Sequence, residues 1–215
     1  MKVKDVRFLK SVFSADSFPA LPYPEFAFMG RSNVGKSSLI NMLTAKKDLV
    51  KTGSRPGVTK SVNFFILNGS ITLTDLPGFG YARLPESVRG GFLPLIKSYV
   101  EKRDNLRLVF LLVDIRRVPG DFEREMITLL AGRGVPVAVV ATKCDKLTRN
   151  RKLTSARAIA EGLSVGIDSI FFPRRKRTTA GRRCWGLSMN TAGAARRIDR
   201  CRTRRPAGFT ETGDP

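Results

Sequence analysis

The chain has 215 residues, which is enough for one α/β domain with appendages and too few for two full-sized domains. It carries 39 Lys and Arg against 18 Asp and Glu, a net charge of +21 that predicts an acidic partner, and its lack of His excludes imidazole catalysis and histidine-containing zinc sites. Three scattered Cys exclude a disulfide framework, and no apolar run reaches the roughly 20 residues of a membrane span, so we expect a cytoplasmic protein without membrane contact.

Short apolar runs alternate with amphipathic stretches between residues 26 and 172, which predicts a mostly parallel sheet covered by helices. The Asn68-Gly69 pair predicts a two-residue hairpin turn, and therefore one antiparallel strand. The fold class is α/β, a sandwich of three layers. The predicted strands are 26–29, 61–67, 71–76, 106–114, 135–142 and 169–172, and the predicted helices are 36–45, 88–103, 121–132 and 149–162.

Composition divides the chain into an N-terminal extension or edge segment (1–22), a sheet domain (23–172) and a basic tail (173–215). The tail holds 12 Lys and Arg, of which 11 are Arg, against 3 Asp and Glu, and it contains one Leu, one Ile and no Val. Such a segment cannot cover a sheet face, so we expect it to be disordered.

A phosphate-binding loop is predicted at residues 30–37, where GRSNVGKS fits G-x-x-x-x-G-K-[ST] between a predicted strand and a predicted helix. The glycines let backbone N–H groups wrap around phosphates, Lys36 would contact the β- and γ-phosphates, and the Ser37 hydroxyl would ligate Mg²⁺. An ordinary glycine-rich turn needs no Lys-Ser pair. The nucleotide-binding candidates here are Gly30, Arg31, Ser32, Asn33, Val34, Gly35, Lys36 and Ser37.

A second motif, DLPG, follows the predicted strand 71–76 at the sheet edge where α/β proteins bind ligands. Asp75 would hold Mg²⁺ indirectly, and Gly78 can turn its N–H toward a γ-phosphate because it has no Cβ. Alone, this tetrapeptide is also a common turn. Its candidates are Asp75, Leu76, Pro77 and Gly78.

Between these two motifs lies the polar segment Lys51–Phe64, which Gly and Pro punctuate as in a mobile loop. By itself it would be a plain connector. Beside a phosphate loop it predicts an order–disorder switch, in which the Thr59 hydroxyl reaches the metal only when a γ-phosphate is present.

A fourth segment, TKCD at residues 142–145, follows another predicted strand. The Asp145 carboxylate can accept two hydrogen bonds from guanine, which adenine cannot donate, and the Lys143 stem can lie over the base. A surface Lys-x-Asp is otherwise an ordinary ion pair. After the other motifs it favours GTP over ATP, with Thr142, Lys143, Cys144 and Asp145 as candidates.

The strings GRSNVGKSSLIN, SRPGVTKSVNFF, DLPGFGYA and TKCDKL, within residues 5–172, resemble the EngB/YihA family of bacterial ribosome-assembly GTPases. The resemblance implies a P-loop GTPase fold with a GTP-binding domain at 23–172. It implies a monomer that binds a precursor of the large ribosomal subunit through rRNA or ribosomal proteins, without DNA specificity, and a defect in cell division and septation when the protein is lost. It also adds Gly57, Val58, Thr59, Lys60 and Ser61 to the GTP contacts, and places Mg²⁺ on Ser37 and Thr59.

Phe79 stands where many small GTPases carry a water-positioning Gln, so we expect slow intrinsic hydrolysis. Potassium-activated relatives carry Asn at the position of Asn33, which suggests help from K⁺ or from the ribosome. The candidate catalytic residues are Lys36, Thr59, Gly78 and Asn33.

The family's fifth motif, a Ser-Ala or Ser-Ser pair, should follow Phe172, but PRRKRTTAG stands there and the final covering helix is expected to be missing. Phe171, Phe172 and Pro173 are therefore the remaining candidates for nucleotide contact at this strand end. In the reading frame that starts one base earlier, the codons of Cys184 and Trp185 would encode Leu followed by Gly, and those of Met189 and Asn190 would encode Glu. If Arg174 and Arg175 have CGN codons, the same frame permits the missing Ser-Ala pair. We hypothesise that 173–215 is out-of-frame translation, whereas the alternative is a basic tail that binds RNA phosphates.

Two other functions remain open from the residues alone. The first is a basic RNA-binding protein with a degenerate nucleotide fold, and the second is a P-loop ATPase or kinase, which requires adenine selectivity. Arg116 and Arg117 and the region around Arg83 and Arg89 are the first candidates for RNA contacts.

Overall fold

The computed structural model describes residues 3–46, 48–50, 61–80, 86–177 and 183–188, with side chains except at 86–92, 174–177 and 183–188. The strands are β1 (Val6–Val12), β2 (Glu25–Gly30), β3 (Val62–Leu67), β4 (Ile71–Asp75), β5 (Leu106–Asp114), β6 (Val137–Thr142), β7 (Ile170–Arg177) and β8 (Arg183–Ser188). The helices are α1 (Lys36–Thr44), α2 (Glu86–Lys102), α3 (Asp121–Gly132) and α4 (Arg149–Gly162).

The strands form one sheet in the order β1-β3-β4-β2-β5-β6-β7-β8. Strands β4, β2, β5, β6 and β7 are parallel, whereas β3 runs antiparallel to both of its neighbours. The α/β class and an antiparallel strand next to the parallel ones, β3, are confirmed, and β8 at the far edge also runs antiparallel to its neighbour β7. The β3–β4 turn has left-handed Asn68 and Gly69 (φ 51° and 63°), but it contains three residues because Leu67 pairs with Ile71.

Helices cover both faces of the sheet, which confirms the three-layer sandwich. Helices α2, α3 and α4 contribute Ile96, Met126 and Ile159 to one buried cluster. On the opposite face, α1 contributes Leu39 and Ile40 to a second cluster, and it is the only helix there among the described residues. Within that same part of the chain, no helix is long and apolar enough to span a membrane.

The buried carboxylate of Glu25, at the start of β2, connects several elements at the amino-terminal edge of the sheet. Glu25 is fully buried and accepts hydrogen bonds from Thr74 (2.8 Å), Tyr99 and Arg103. Arg103 also donates to the Pro19 carbonyl (2.7 Å), so the N-terminal segment and the end of α2 are fixed to the sheet. Burial raises the pKa of the Tyr99 hydroxyl, which therefore stays a donor to Glu25.

The two ends of the sheet differ most from the sequence prediction. Residues 6–12 form a complete edge strand within the predicted extension, and β7 continues past Phe172 to Arg177 and pairs with β8. Residues 173–177 and 183–188 pair as adjacent strands, and such backbone pairing needs no apolar periodicity, while disorder of the tail stays a prediction. No helix follows β7 in the described part of the chain, and 178–182 and 189–215 lie outside it.

Candidate nucleotide-binding site

Three predicted motifs meet at the carboxyl edge of the sheet. Gly30 ends β2, Asp75 ends β4 and Thr142 ends β6, and these strands are parallel members of one sheet. Segments far apart in sequence therefore lie side by side, at the edge where α/β sheets bind ligands.

The loop from Gly30 to Lys36 has a conformation that its residues specify. A Cβ on Gly30 would lie 2.8 Å from the Leu112 carbonyl oxygen, so only glycine allows this contact with β5. Asn33 (φ 60°) and Gly35 (φ 106°) are left-handed, and Gly35 leads directly into α1. The loop therefore ends at the positive end of a helix, which favours an anion.

A buried ion pair joins the phosphate loop to β4. The Lys36 ammonium donates to Asp75 Oδ1, and the two side chains are 8% and 0% exposed. The other oxygen, Asp75 Oδ2, is buried without a hydrogen-bond partner. This is a costly arrangement unless a ligand or its water shell donates to that oxygen.

The segment after Asp75 pairs with the phosphate loop like a short strand. Ser32 N–H donates to the Phe79 carbonyl (2.8 Å), Phe79 N–H donates to the Gly30 carbonyl (3.4 Å), and the Ser32 hydroxyl donates to the Gly78 carbonyl (3.3 Å). A Cβ on Gly78 would lie 3.0 Å from Ser32 Oγ. Because of this close packing at Gly78, a movement of the DLPG segment would displace the phosphate loop, and the reverse.

Phe79 is a packing residue in this structure. Its ring is 7% exposed and stacks on Phe122 of α3, with centroids 3.7 Å apart and an interplanar angle of 30°. The side chain that replaces the water-positioning Gln is therefore directed into the core beneath α3.

The TKCD segment turns sharply after β6. Lys143 is left-handed (φ 57°), and its ammonium lies 3.1 Å from Asp114 Oδ2 at the end of β5. The Cys144 thiol donates to the Ala141 carbonyl (2.9 Å), and burial raises its pKa to about 11, which leaves it an unreactive thiol. The Asp145 side chain is 74% exposed and 3.7 Å from Lys146. Because the Asp145 carboxylate is exposed at the carboxyl edge of the sheet, it is accessible to the hydrogen-bond donors of a nucleotide base.

Asp114 is the residue that sequence reasoning missed. It is buried, and it accepts hydrogen bonds from the Arg116 guanidinium and backbone, which hold the pKa of its carboxyl well below the usual range. The signal was present, because the run LRLVFLLVD ends in a carboxylate at the same sheet edge as Asp75.

Other predicted site residues are placed elsewhere or not described. Gly57, Val58, Thr59 and Lys60 lie outside the described residues. Ser61 is buried and donates to Asn63 Oδ1 (3.1 Å). Phe171 pairs with Val140 and belongs to the core on the α1 face, while Phe172 packs against the opposite cluster and Pro173 follows in β7.

The residues present at the edge fit a magnesium ion. Mg²⁺ prefers oxygen donors and keeps several of its waters. The half-buried Ser37 at the start of α1 supplies a hydroxyl, and Asp75 Oδ2 supplies an unused acceptor for a metal-bound water. The described residues contain no cluster of three or more acidic or Cys side chains, so such an ion would depend on phosphate oxygens.

Comparison with known proteins matches this geometry. A family model described as 50S ribosome-binding GTPase matches residues 25–143. A probable GTP-binding protein EngB from Desulforapulum autotrophicum is 42% identical over 185 residues, 86% of this chain and 95% of that protein. Another from Pelobacter propionicus is 46% identical over 163 residues, 76% and 82% of the two chains. The crystal structure of a probable GTP-binding protein engB superposes with a TM-score of 0.58 and 31% identity, over 69% of this chain and 86% of the other.

We predict that Phe79→Gln destabilises the protein and does not accelerate GTP hydrolysis. The substitution buries an amide under α3 and removes the stacked ring, so the free energy of unfolding should fall by about 2–4 kcal/mol. Urea unfolding measures the stability, and single-turnover phosphate release measures the rate. Phe122→Ala is the matched control, because it removes the same stack without adding an amide at position 79. Faster hydrolysis in Phe79→Gln alone would contradict the packing role.

Proposed function

Because the chain belongs to the EngB family of GTP-binding proteins and matches a family model described as 50S ribosome-binding GTPase, we propose that it is a switch in the assembly of the large ribosomal subunit, on which normal cell division and septation depend. The observation that carries this proposal is the coupling of the phosphate loop to β4 through Lys36, Asp75 and Gly78. A γ-phosphate inserted there would alter contacts that extend to α3.

In the proposed GTP complex, Lys36 leaves Asp75 and binds the β- and γ-phosphates, which the loop N–H groups surround. Ser37 and Thr59 would hold Mg²⁺, which would neutralise part of the phosphate charge. The Asp75 carboxylate, released from Lys36, would then be free to accept hydrogen bonds from water bound to the ion. This exchange of partners keeps both buried charges compensated before and after binding.

Guanine is bound at the second half of the site. Asp145 accepts hydrogen bonds from the base edge, and the Lys143 stem lies along its plane. The left-handed turn at Lys143 and the exposure of Asp145 support this arrangement, since both side chains are then available beside the phosphate loop. Gly35 of the phosphate loop lies next to Thr142 of the base half, since a Cβ added to Gly35 would be 3.9 Å from the Thr142 side chain.

A structural change between the GTP and GDP states would be transmitted to the partner-binding surface through Phe79. Gly78 is the residue whose N–H would follow the γ-phosphate, and its neighbour Phe79 is stacked on Phe122 of α3. A shift of Gly78 therefore changes the packing of α3, so the surface near this helix differs between the GTP and GDP states.

The proposed partner is a precursor of the large subunit, contacted through rRNA or ribosomal proteins by a monomer in the cytoplasm. Residues 1–172 carry 27 Lys and Arg against 15 Asp and Glu, which supports contact with RNA phosphates. Arg117, exposed just after β5, is placed for such a contact. A degenerate nucleotide fold is disfavoured, because Gly30, Gly35, Lys36 and Asp75 keep the geometry that a phosphate site needs.

The proposal is tested by affinity capture of ribosomal particles. The chain loaded with a non-hydrolysable GTP analogue should retain large-subunit particles, and the GDP-loaded chain should not. Asp145→Asn should lose retention with the GTP analogue and regain it with the xanthosine analogue, because an amide at position 145 complements xanthine. Asp5→Asn, on an exposed carboxylate beside Lys46, is the matched control. Equal retention in every nucleotide state would contradict the switch.

We further propose that K⁺ assists hydrolysis through Asn33, whose left-handed conformation places it at the bend of the phosphate loop. Phosphate release should be faster in potassium than in sodium chloride at equal ionic strength. Asn33→Gly should abolish the difference, since glycine keeps the conformation and removes the amide. Equal rates in the two salts for the native chain would exclude a role for K⁺.

A further inference from the structure

The end of β5 holds a buried carboxylate that the proposed nucleotide contacts do not use. Asp114 pairs with Thr142 across β5 and β6, and it is 7% exposed. Its Oδ2 lies 3.1 Å from Lys143 Nζ in an ion pair and accepts a hydrogen bond from Arg116 Nη2 (2.7 Å), while its Oδ1 accepts from Arg116 Nε (2.9 Å) and the Arg116 backbone (3.1 Å).

We propose that Asp114 is a positioning residue of the guanine site, which holds the Lys143 ammonium so that the lysine stem is already placed for the base. The inference rests on the proposed role of Lys143 in guanine binding. Asp114 itself contacts no nucleotide in this account and acts through Lys143.

The conformation of Lys143 explains why an anchor is needed. The residue is left-handed, which is an unfavourable conformation for a side chain with a Cβ, and it follows directly on β6. A lysine side chain has many rotamers, and immobilising it at the moment of binding opposes association. The ion pair with Asp114 restricts those rotamers before the nucleotide arrives.

The surroundings of Asp114 also make it a fixed anchor. The carboxylate belongs to the last residue of the central strand β5, and its Oδ1 accepts from the Arg116 backbone N–H (3.1 Å), a bond that does not depend on the Arg116 side chain. Arg116 is 45% exposed, whereas Lys143 is 35% exposed, so the lysine is the more enclosed of the two cations.

A purely structural role for Asp114 is the competing explanation. Arg117 N–H donates to the Asp114 carbonyl (2.9 Å), and the carboxylate accepts from the Arg116 backbone, so the residue also stabilises the turn after β5. In that case its removal would weaken nucleotide binding only through instability, and the loss would be independent of Lys143.

A double-mutant cycle separates the two explanations. We would measure GDP affinity by isothermal titration calorimetry for the native chain, Asp114→Asn, Lys143→Ala and the double variant, under conditions where urea unfolding shows each to be folded. Asparagine keeps the volume and one acceptor for the turn but removes the charge. Arg116→Ala is the matched control, because it removes the other partner of the same carboxylate.

We expect Asp114→Asn to weaken GDP binding about tenfold, and the double variant to bind no more weakly than Lys143→Ala alone. Arg116→Ala should change the affinity by less than about threefold. Additive losses from Asp114→Asn and Lys143→Ala would overturn the inference and leave the role of Lys143 intact. An unchanged affinity in Lys143→Ala would overturn the inference together with the proposed guanine contact.

Discussion

The buried ion pair between Lys36 and Asp75 is the interaction on which the nucleotide site depends. It joins the first residue of α1 to the last residue of β4, and both side chains are enclosed. A charge in such a place is tolerated only with a partner, so binding of a phosphate must replace what Lys36 loses, and binding of a cation must replace what Asp75 loses. The second oxygen, Asp75 Oδ2, is buried without a hydrogen-bond partner and so leaves an acceptor for that cation or its water shell.

The second constraint is the close contact between the phosphate loop and the residues after β4. Gly30 permits an approach that a Cβ would block, Gly78 permits one that a Cβ would crowd, and hydrogen bonds from Ser32 join the two segments. Phe79 extends the contact to α3 through its stacked ring. The residues of the proposed phosphate site therefore also contact a surface helix, which is the property that the proposed switch requires.

The fold's centre and the phosphate loop could be predicted from sequence because their signals are local. Strand 106–114 and helices 121–132 and 149–162 have the predicted bounds, and the loop is one contiguous motif. Strand β1 and the role of Asp114 depend instead on contacts between distant segments, which periodicity does not report, and β8 pairs with the neighbouring β7 without an apolar pattern. Phe79 likewise looked like a substitution in the catalytic apparatus until its partner Phe122 was known. An out-of-frame origin of 173–215 stays a prediction that the coding sequence would test.

The affinity for GDP with and without Mg²⁺ in Asp75→Asn tests the central exchange most directly. If Asp75 releases Lys36 to phosphate and serves the ion's water shell, the native chain should bind GDP about tenfold more tightly with Mg²⁺ than without it. The variant should gain less than about twofold from Mg²⁺, and in its absence should bind GDP at least as tightly as the native chain, because Lys36 has no ion pair to leave. The same magnesium-dependent gain in both proteins would contradict the account.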